Sequence, residues 1–363
     1  MSGNSSAVDP RRIGDDRALV ELGWSNHFQA QSLDDVPAGE APARVIAVHR
    51  NGLAIAGAGW TDRIAPYASG DADDTHATVG DWLIVDAATH RPRRLLGRKS
   101  LFKRKAAGTT VRVQLIAANV DTLLVVTSCN QDFNVARLER YLAAAREAGA
   151  SPVIVLTKAD LADDPAEYRD RAERLMAGLL VECLDARNPE DVEKLHPWCT
   201  TGQTAALVGS SGVGKSTLVN TLSGGAVQTT APIREDDAHG RHTTTVRSLH
   251  RLPAGGWLLD TPGMRELQLA DATRGIDDVF ADIVELAHRC RFADCTHGTE
   301  PGCAVQASLS EGDLDPARYA RFVKLAAEDR RNAEALHERR ARERGFGKMI
   351  KEIDKMRRDR WER

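Results

Sequence analysis

The sequence predicts a multidomain α/β protein: a small antiparallel barrel, then a parallel sheet with helices on both faces, then a mainly helical module. Three observations carry that prediction. Between Ala43 and Gly97 the chain runs in short alternating segments separated by turn residues. After about residue 110 the apolar runs become short and nearly continuous, as in strands buried on both faces. Finally, Cys290, Cys295, His297 and Cys303 fall within 14 residues, inside a stretch that otherwise reads as helix and loop.

At 363 residues, with 42% hydrophobic and 28% charged residues, the chain has room for two or three ordinary globular domains. Aromatic residues are only 5%, so burial rests on Val, Leu, Ile and Ala. No window approaches the roughly 20 apolar residues that cross a bilayer, and the opening MSGNSSAVDPRR has no secretion-signal core. Six cysteines in so long a chain do not form a disulfide scaffold, so a cytoplasmic, reduced setting and no membrane are expected.

A net charge of −3 conceals an asymmetry. Residues 318–363 carry 16 Lys/Arg against 9 Asp/Glu, and residues 1–40 carry seven acids against three bases. From Ala87 to Val120 there are nine Lys/Arg and no acid, among them Arg93, Arg94, Arg98, Lys99, Lys103, Arg104 and Lys105. This acid-free block predicts phosphate contact with a polyanion, most simply RNA. The basic tail fits either that partner or a solvated charged helix.

The elements follow in order. Residues 1–39 read as an acidic tail with one short helix. ARVIAVHRNGLAIAG and GDWLIVDAATHRPRRLLG read as barrel strands around the turns Asn51-Gly52 and Ser69-Gly70-Asp71, with a polar loop between Tyr67 and Thr78. A small barrel with a basic edge suits oligonucleotide binding. Leu123–Thr127, Pro152–Thr157, Ala205–Val208 and Trp257–Asp260 read as buried parallel strands. Between the first two, Asn134 can cap a helix that Gly149 ends, with Val135, Leu138, Leu142 and Ala145 on one face. That strand–helix–strand unit predicts a parallel sheet, whose ligands bind at the carboxyl ends of its strands.

Gly209-Ser210-Ser211-Gly212-Val213-Gly214-Lys215-Ser216, followed by Thr217, is a G-x-x-x-x-G-K-S phosphate loop between a strand and a helix. Its glycines let successive N–H groups face one anion, Lys215 reaches the terminal phosphates, and the Ser216 hydroxyl is a magnesium ligand. The base is addressed by Thr157-Lys158-Ala159-Asp160 at the end of a strand. There a carboxylate can accept both the N1 and the exocyclic-amine hydrogens of guanine, a donor pair adenine lacks. Asp260-Thr-Pro-Gly263 suits a water-mediated magnesium contact through Asp260 and a γ-phosphate contact through the Gly263 N–H. Thr243 or Thr244, after the polar stretch Gly224–Arg241, would complete the magnesium shell. The order is unusual: the guanine motif precedes the phosphate loop, so the closed site requires a circularly permuted chain.

Cys290, Cys295, His297 and Cys303 supply three thiolates and one imidazole, the ligand number of a closed tetrahedral structural zinc site. Cys129, Cys183 and Cys199 have no such spacing and read as small buried hydrophobes.

The permuted order, with GSSGVGKSTLVN, GRHTTT, DTPG and the CxxxxCxHxxxxxC cluster, resembles the ribosome-small-subunit-dependent GTPase A family. VGDW, AANVD and Phe133-Asn134 resemble its framing phrases, and the likeness spans about residues 43–325. The resemblance implies an N-terminal OB-type β-barrel, a circularly permuted P-loop GTPase domain and a C-terminal zinc domain. The expected divisions are 1–39, 40–108, 109–274 and 275–363. It further implies a cytoplasmic, monomeric factor that binds the small ribosomal subunit and its rRNA, aids late maturation, and hydrolyses GTP to GDP with subunit-stimulated turnover. Magnesium accompanies GTP, and one structural zinc is implied. Met264 stands where Ras-type GTPases place a water-orienting Gln, and the resemblance points instead to His242 as the catalytic residue. Two departures stand out: Thr157 replaces the common Asn, and the Ser-Ala base-contacting turn is missing near Glu182–Ala186. No arginine finger is evident. Two alternatives remain at this level: an RNA-binding scaffold with a structural nucleotide site, and a P-loop NTPase of another pathway.

Overall fold

The computed structural model describes residues 17–32, 39–70, 72–105, 113–225, 247–260 and 272–332. Its N-terminal strands are β1 (Glu40–His49), β2 (Gly52–Gly57), β3 (Trp60–Ile64), β4 (Trp82–Asp86) and β5 (Pro92–Leu95). They pair antiparallel as β3-β2-β1-β4-β5 around Ala43, Val45, Leu53, Ile55, Leu83 and Val85. The Tyr67 hydroxyl donates to Arg93 O at 2.9 Å, joining the segment after β3 to β5. A separate ribbon pairs β6 (Leu101–Lys105) with β7 (Val113–Ala118).

The central sheet contains β8 (Thr122–Ser128), β9 (Ser151–Thr157), β10 (Leu180–Cys183), β11 (Thr204–Val208), β12 (Arg247–Arg251) and β13 (Trp257–Asp260). Their order is β10-β9-β8-β11-β13-β12, all parallel except β12. The predicted strands lie here because each is apolar on both faces. Crossing from β8 to β9 is a helix whose Asn134 side chain accepts the Arg137 N–H and whose end is Gly149 at φ +82°.

The barrel and the central sheet are continuous. A register shift between Val45 and Ala47 turns β1, so its first half pairs with β4 while Ala47 and Val48 pair with Ser248 and Arg247 of β12. Arg44, 1% exposed, crosses this seam. It donates to Leu22 O at 2.5 Å and to Thr204 Oγ1 at 2.7 Å, and burial lowers its pKa to about 10. Two short helices, α1 (Arg17–Glu21) and α2 (Asn26–Ala30), wedge beside it. The sequence predicts one helix here, and Gly23 at φ +95° breaks the segment in two. Trp24 meets Trp82 edge-on with ring centroids 4.8 Å apart.

The remaining helices are α3 (Val135–Ala148), α4 (Pro165–Glu173), α5 (Pro189–Val192), α6 (Lys215–Leu222), α7 (Thr273–Val279), α8 (Ala281–Ala287), α9 (Ala304–Glu311) and α10 (316–332). The α3 and α7 backbones approach so closely that a Cβ on Gly275 would lie 2.1 Å from Ala143 O. The Arg321 guanidinium of α10 donates to both oxygens of the buried Glu139 on α3, at 2.8 and 3.1 Å. Asp329 of α10 accepts the Ala272 N–H at 2.9 Å. Phe280, Ile283, Val305, Leu314 and Leu325 therefore share one core with Leu138 and Leu142 of α3. No helix among the described residues is long and apolar enough to cross a membrane.

Candidate functional site

The phosphate loop joins β11 to α6 on the apolar anchors Val213, Leu218 and Leu222, which sit in the core formed with Leu124, Val126 and Val155. Gly209 has φ +150°, and a Cβ there would come within 2.2 Å of Val126 O. Gly214, at φ +90°, caps α6. Lys215 lies in the first turn of α6, and its ammonium donates to Ser210 O, folding the loop around itself. Ser216 is half-buried on the same turn, while Ser211, Gly212 and Thr217 are exposed. The helix N-terminus and Lys215 together make an anion site.

Beside it, β9 ends in Thr157, and Lys158 takes a left-handed φ of +57° that swings Ala159 and Asp160 into a turn. Thr157 is fully buried, and its hydroxyl donates to Val213 O at 2.6 Å, with Thr127 O at 3.1 Å. The residue that departs from the common Asn thus ties the strand of the predicted guanine motif directly to the phosphate loop. Thr157→Val, close in volume, deletes that tie. It is expected to weaken GDP binding about three- to tenfold, the scale of one buried hydrogen bond of about 0.5–1.5 kcal/mol, measured by titration calorimetry.

Asp160 is partly exposed and does not stand alone: its Oδ2 accepts from Arg187 at 2.8 Å. Asp260 ends β13, next to β11, with its backbone opposite Ser248. Thr157, Asp160, the phosphate loop and the β13 terminus all lie at the carboxyl edge of the parallel strands, where such sheets bind ligands. His242, Thr243, Thr244, Gly263 and Met264 lie outside the described residues, as do Lys105 beyond its backbone and the tail past residue 332.

Sequence reasoning missed a cation beside the phosphate loop. Arg137, exposed in the first turn of α3, donates to Ser210 Oγ on the phosphate loop. Its position follows the Asn134 cap, but reaching a loop 73 residues later is a tertiary fact that no local pattern carries.

In the C-terminal module the four Cys/His donor atoms lie within 4.8 Å of one another. Cys290 Sγ is 3.9 Å from Cys303 Sγ and 3.6 Å from His297 Nδ1, and Cys303 Sγ is 3.5 Å from that nitrogen. A tetrahedral ion with metal–sulfur bonds of about 2.3 Å and metal–nitrogen bonds of about 2.0–2.1 Å requires edges of about 3.8 and 3.5 Å. The donor set fits a metal. His297 presents Nδ1 from a left-handed φ of +59°, held by Gln306, which donates to its carbonyl at 2.6 Å.

The basic block divides. Arg98, one of the expected RNA contacts, is engaged within the chain. Its guanidinium forms a two-pronged pair with Asp81 at 2.7 and 2.8 Å and also donates to Asp74 O and His76 O at 2.6 and 2.7 Å. The Lys99 ammonium pairs with Asp121 at 3.0 Å and Arg94 donates to Gln31 O at 3.0 Å. Arg93 pairs with Asp86 at 3.1 Å yet stays half-exposed, and Arg104 donates to Gln114 at 2.9 Å. Lys103 is exposed. Of the other cysteines, Cys129 and Cys199 are buried and Cys183 is half-buried.

A model of the RsgA GTPase family matches residues 95–270. The small ribosomal subunit biogenesis GTPase RsgA 2 of Vibrio parahaemolyticus is 49% identical over 342 residues, covering 94% of each chain. The chain belongs to the RsgA GTPase family. It is therefore a GTP hydrolase by kinship. The small ribosomal subunit biogenesis GTPase RsgA of Mesorhizobium japonicum is 53% identical over 321 residues, covering 87% of this chain and 91% of that one. The RsgA fold is met again in solved structures. YjeQ from Thermotoga maritima superposes with a TM-score of 0.59 at 24% identity, covering 80% of this chain and 98% of that one. YloQ, a circularly permuted GTPase, gives 0.55 at 22% identity, covering 80% and 95%. The permutation inferred from motif order is thus met in a structural neighbour of this chain.

Proposed function

We propose that this chain is a GTP-gated factor of the cytoplasm that binds the immature small ribosomal subunit through rRNA and leaves on hydrolysis. The observation that carries it is the joining of Asp160, the phosphate loop and the β13 terminus at one sheet edge, in a chain whose relatives are named small ribosomal subunit biogenesis GTPases. Asp160 reads guanine, and Lys215 with the N-terminal turn of α6 holds the phosphates. Ser216, Thr243 or Thr244, and Asp260 would hold magnesium, which when bound neutralises charge on the β- and γ-phosphates. Water attacks the γ-phosphorus, the bond to the β–γ bridging oxygen breaks with its electron pair left on GDP, and the water proton ends on phosphate. His242 accepts a hydrogen bond from that water. Cys290, Cys295, His297 and Cys303 would hold one zinc ion as a structural cross-link, four protein ligands leaving no open position. RNA contact falls to Lys103, Arg93, Arg104 and Lys105, and the protein acts as a monomer.

The test is GTP and ATP hydrolysis with and without purified small subunits at two salt concentrations. GTP-specific stimulation that fades as salt rises is expected. His242→Ala is expected to bind GTP normally and to lose about a hundredfold or more of subunit-stimulated turnover. No stimulation by subunits detaches the enzyme from the ribosome, and unchanged turnover in the variant removes His242 from the chemistry.

A further inference from the structure

The turn after β10 differs from the Ser-Ala pair that the family resemblance places there. It reads Asp185-Ala186-Arg187, and the structure holds it firmly. The Asp185 N–H donates to Asp191 Oδ2 at 2.9 Å, and Thr221 of α6 donates its hydroxyl to Ala186 O at 2.7 Å. On this base Asp185 grips Arg187: Oδ1 accepts the Arg187 backbone N–H at 2.9 Å and its Nε–H at 3.1 Å, and Oδ2 accepts from NH2 at 3.2 Å. The same NH2 donates to Asp160 Oδ2 at 2.8 Å. One guanidinium therefore sits between two carboxylates, one fixed to the loop and the other the group that reads the base.

A carboxylate that accepts two hydrogens from one base edge must hold its plane in the plane of the base. A lone, partly exposed Asp rotates about its last torsion, whose wells are broad. A donor locked onto one oxygen narrows that rotation and leaves the other oxygen, and the second lone pair of the first, free to accept. Without the cation, Asp160 and Asp185 are two neighbouring negative charges that push each other aside. Asp185 supplies the anchor and Arg187 the reach.

We infer that Arg187, held by Asp185, is a positioning residue that fixes the Asp160 carboxylate and thereby sets discrimination between bases with and without an amine beside N1. The inference rests on Asp160 as the guanine reader. It adds that selectivity in this chain depends on an arginine in the turn after β10. Because the Arg187 side chain is 65% exposed, solvent screens the pair and the effect is moderate rather than absolute.

The experiment titrates full-length protein with GDP, IDP and ADP, IDP being the same nucleotide without the exocyclic amine. For Arg187→Ala, GDP affinity is expected to fall about tenfold and IDP affinity about twofold, so the GDP/IDP ratio shrinks about fivefold. Arg187→Lys is expected to recover part of that ratio, since an ammonium reaches Asp160 but cannot bridge both acids. Equal losses for GDP and IDP would mean that Arg187 merely braces the loop, and would overturn the inference. Wild-type protein that binds ADP as tightly as GDP would instead overturn the guanine reading itself, so the two failures are told apart by which protein shows them.

Discussion

Cys303→Ser is expected to loosen the segment 281–314 from the rest of the molecule while leaving nucleotide binding within about twofold of the parent. Three features of Cys303 converge on that result. Its thiol is one corner of the four-donor cluster, its Sγ accepts the Gln306 N–H at 3.5 Å to cap α9, and it is only 5% exposed in the core shared with Val305, Leu314 and Leu325. A serine there is a poor ligand for a soft site, and a structural metal of this kind contributes folding free energy directly. Amide exchange across 281–314 is expected to rise a hundredfold or more, a local loss of about 2.7 kcal/mol. The phosphate loop is spared because Val213, Leu218 and Leu222 pack in a different core, under the opposite face of the sheet from α3. If the module takes part in the proposed docking, subunit-stimulated turnover falls with it. Metal content measured on the purified protein settles the premise. A parent without stoichiometric bound metal, or a variant with unchanged exchange, would sink the account.

What could be read from the sequence and what could not divide along physical lines. The phosphate loop was legible because its backbone leaves no alternative to glycine: the Gly209 Cβ would strike Val126 O. The strands β8, β9, β11 and β13 were legible as unbroken apolar runs because both their faces are covered. Two other strands were not. In β10 only Val181 is buried, at the edge of the sheet, and in β12 only Leu249 is, so neither carries a periodic signal. Yet β12 joins the barrel to the central sheet, through pairing partners 200 residues distant in sequence. Charged residues were the least legible. The acid-free block reads as one basic face, but an arginine points outward or inward according to which acid the fold brings near. For Arg98 that acid lies 17 residues away, for Arg187 it lies 27 residues away, and for Arg137 the partner is the phosphate loop itself. The missing Ser-Ala turn is a departure visible in the sequence, but its replacement by a bridged pair of carboxylates appears only in three dimensions.

The same distinction gives the second large effect. Arg98→Ala is expected to destabilise the barrel by about 3–5 kcal/mol, because it leaves the wholly buried Asp81 carboxylate without its counter-charge. The Arg98 side chain is itself 11% exposed, so water reaches the pair poorly and cannot take over its role. Asp81 also accepts the Thr78 N–H at 2.7 Å, and Arg98 holds Asp74 O and His76 O, so one substitution releases the whole connection before β4. Lys103→Ala is the control. Exposed on the ribbon strand β6, it is expected to leave the melting temperature unchanged, to weaken subunit binding and to reduce the salt slope by about one. If Arg98 served RNA rather than the fold, the two variants would behave alike. The double variant Arg98→Met, Asp81→Leu removes both charges at once and is expected to regain much of the lost stability, since breaking a buried pair costs far more than replacing it. A double variant no more stable than Arg98→Ala would show that the hydrogen bonds to Asp74 and His76, not the ion pair, hold this part of the barrel together.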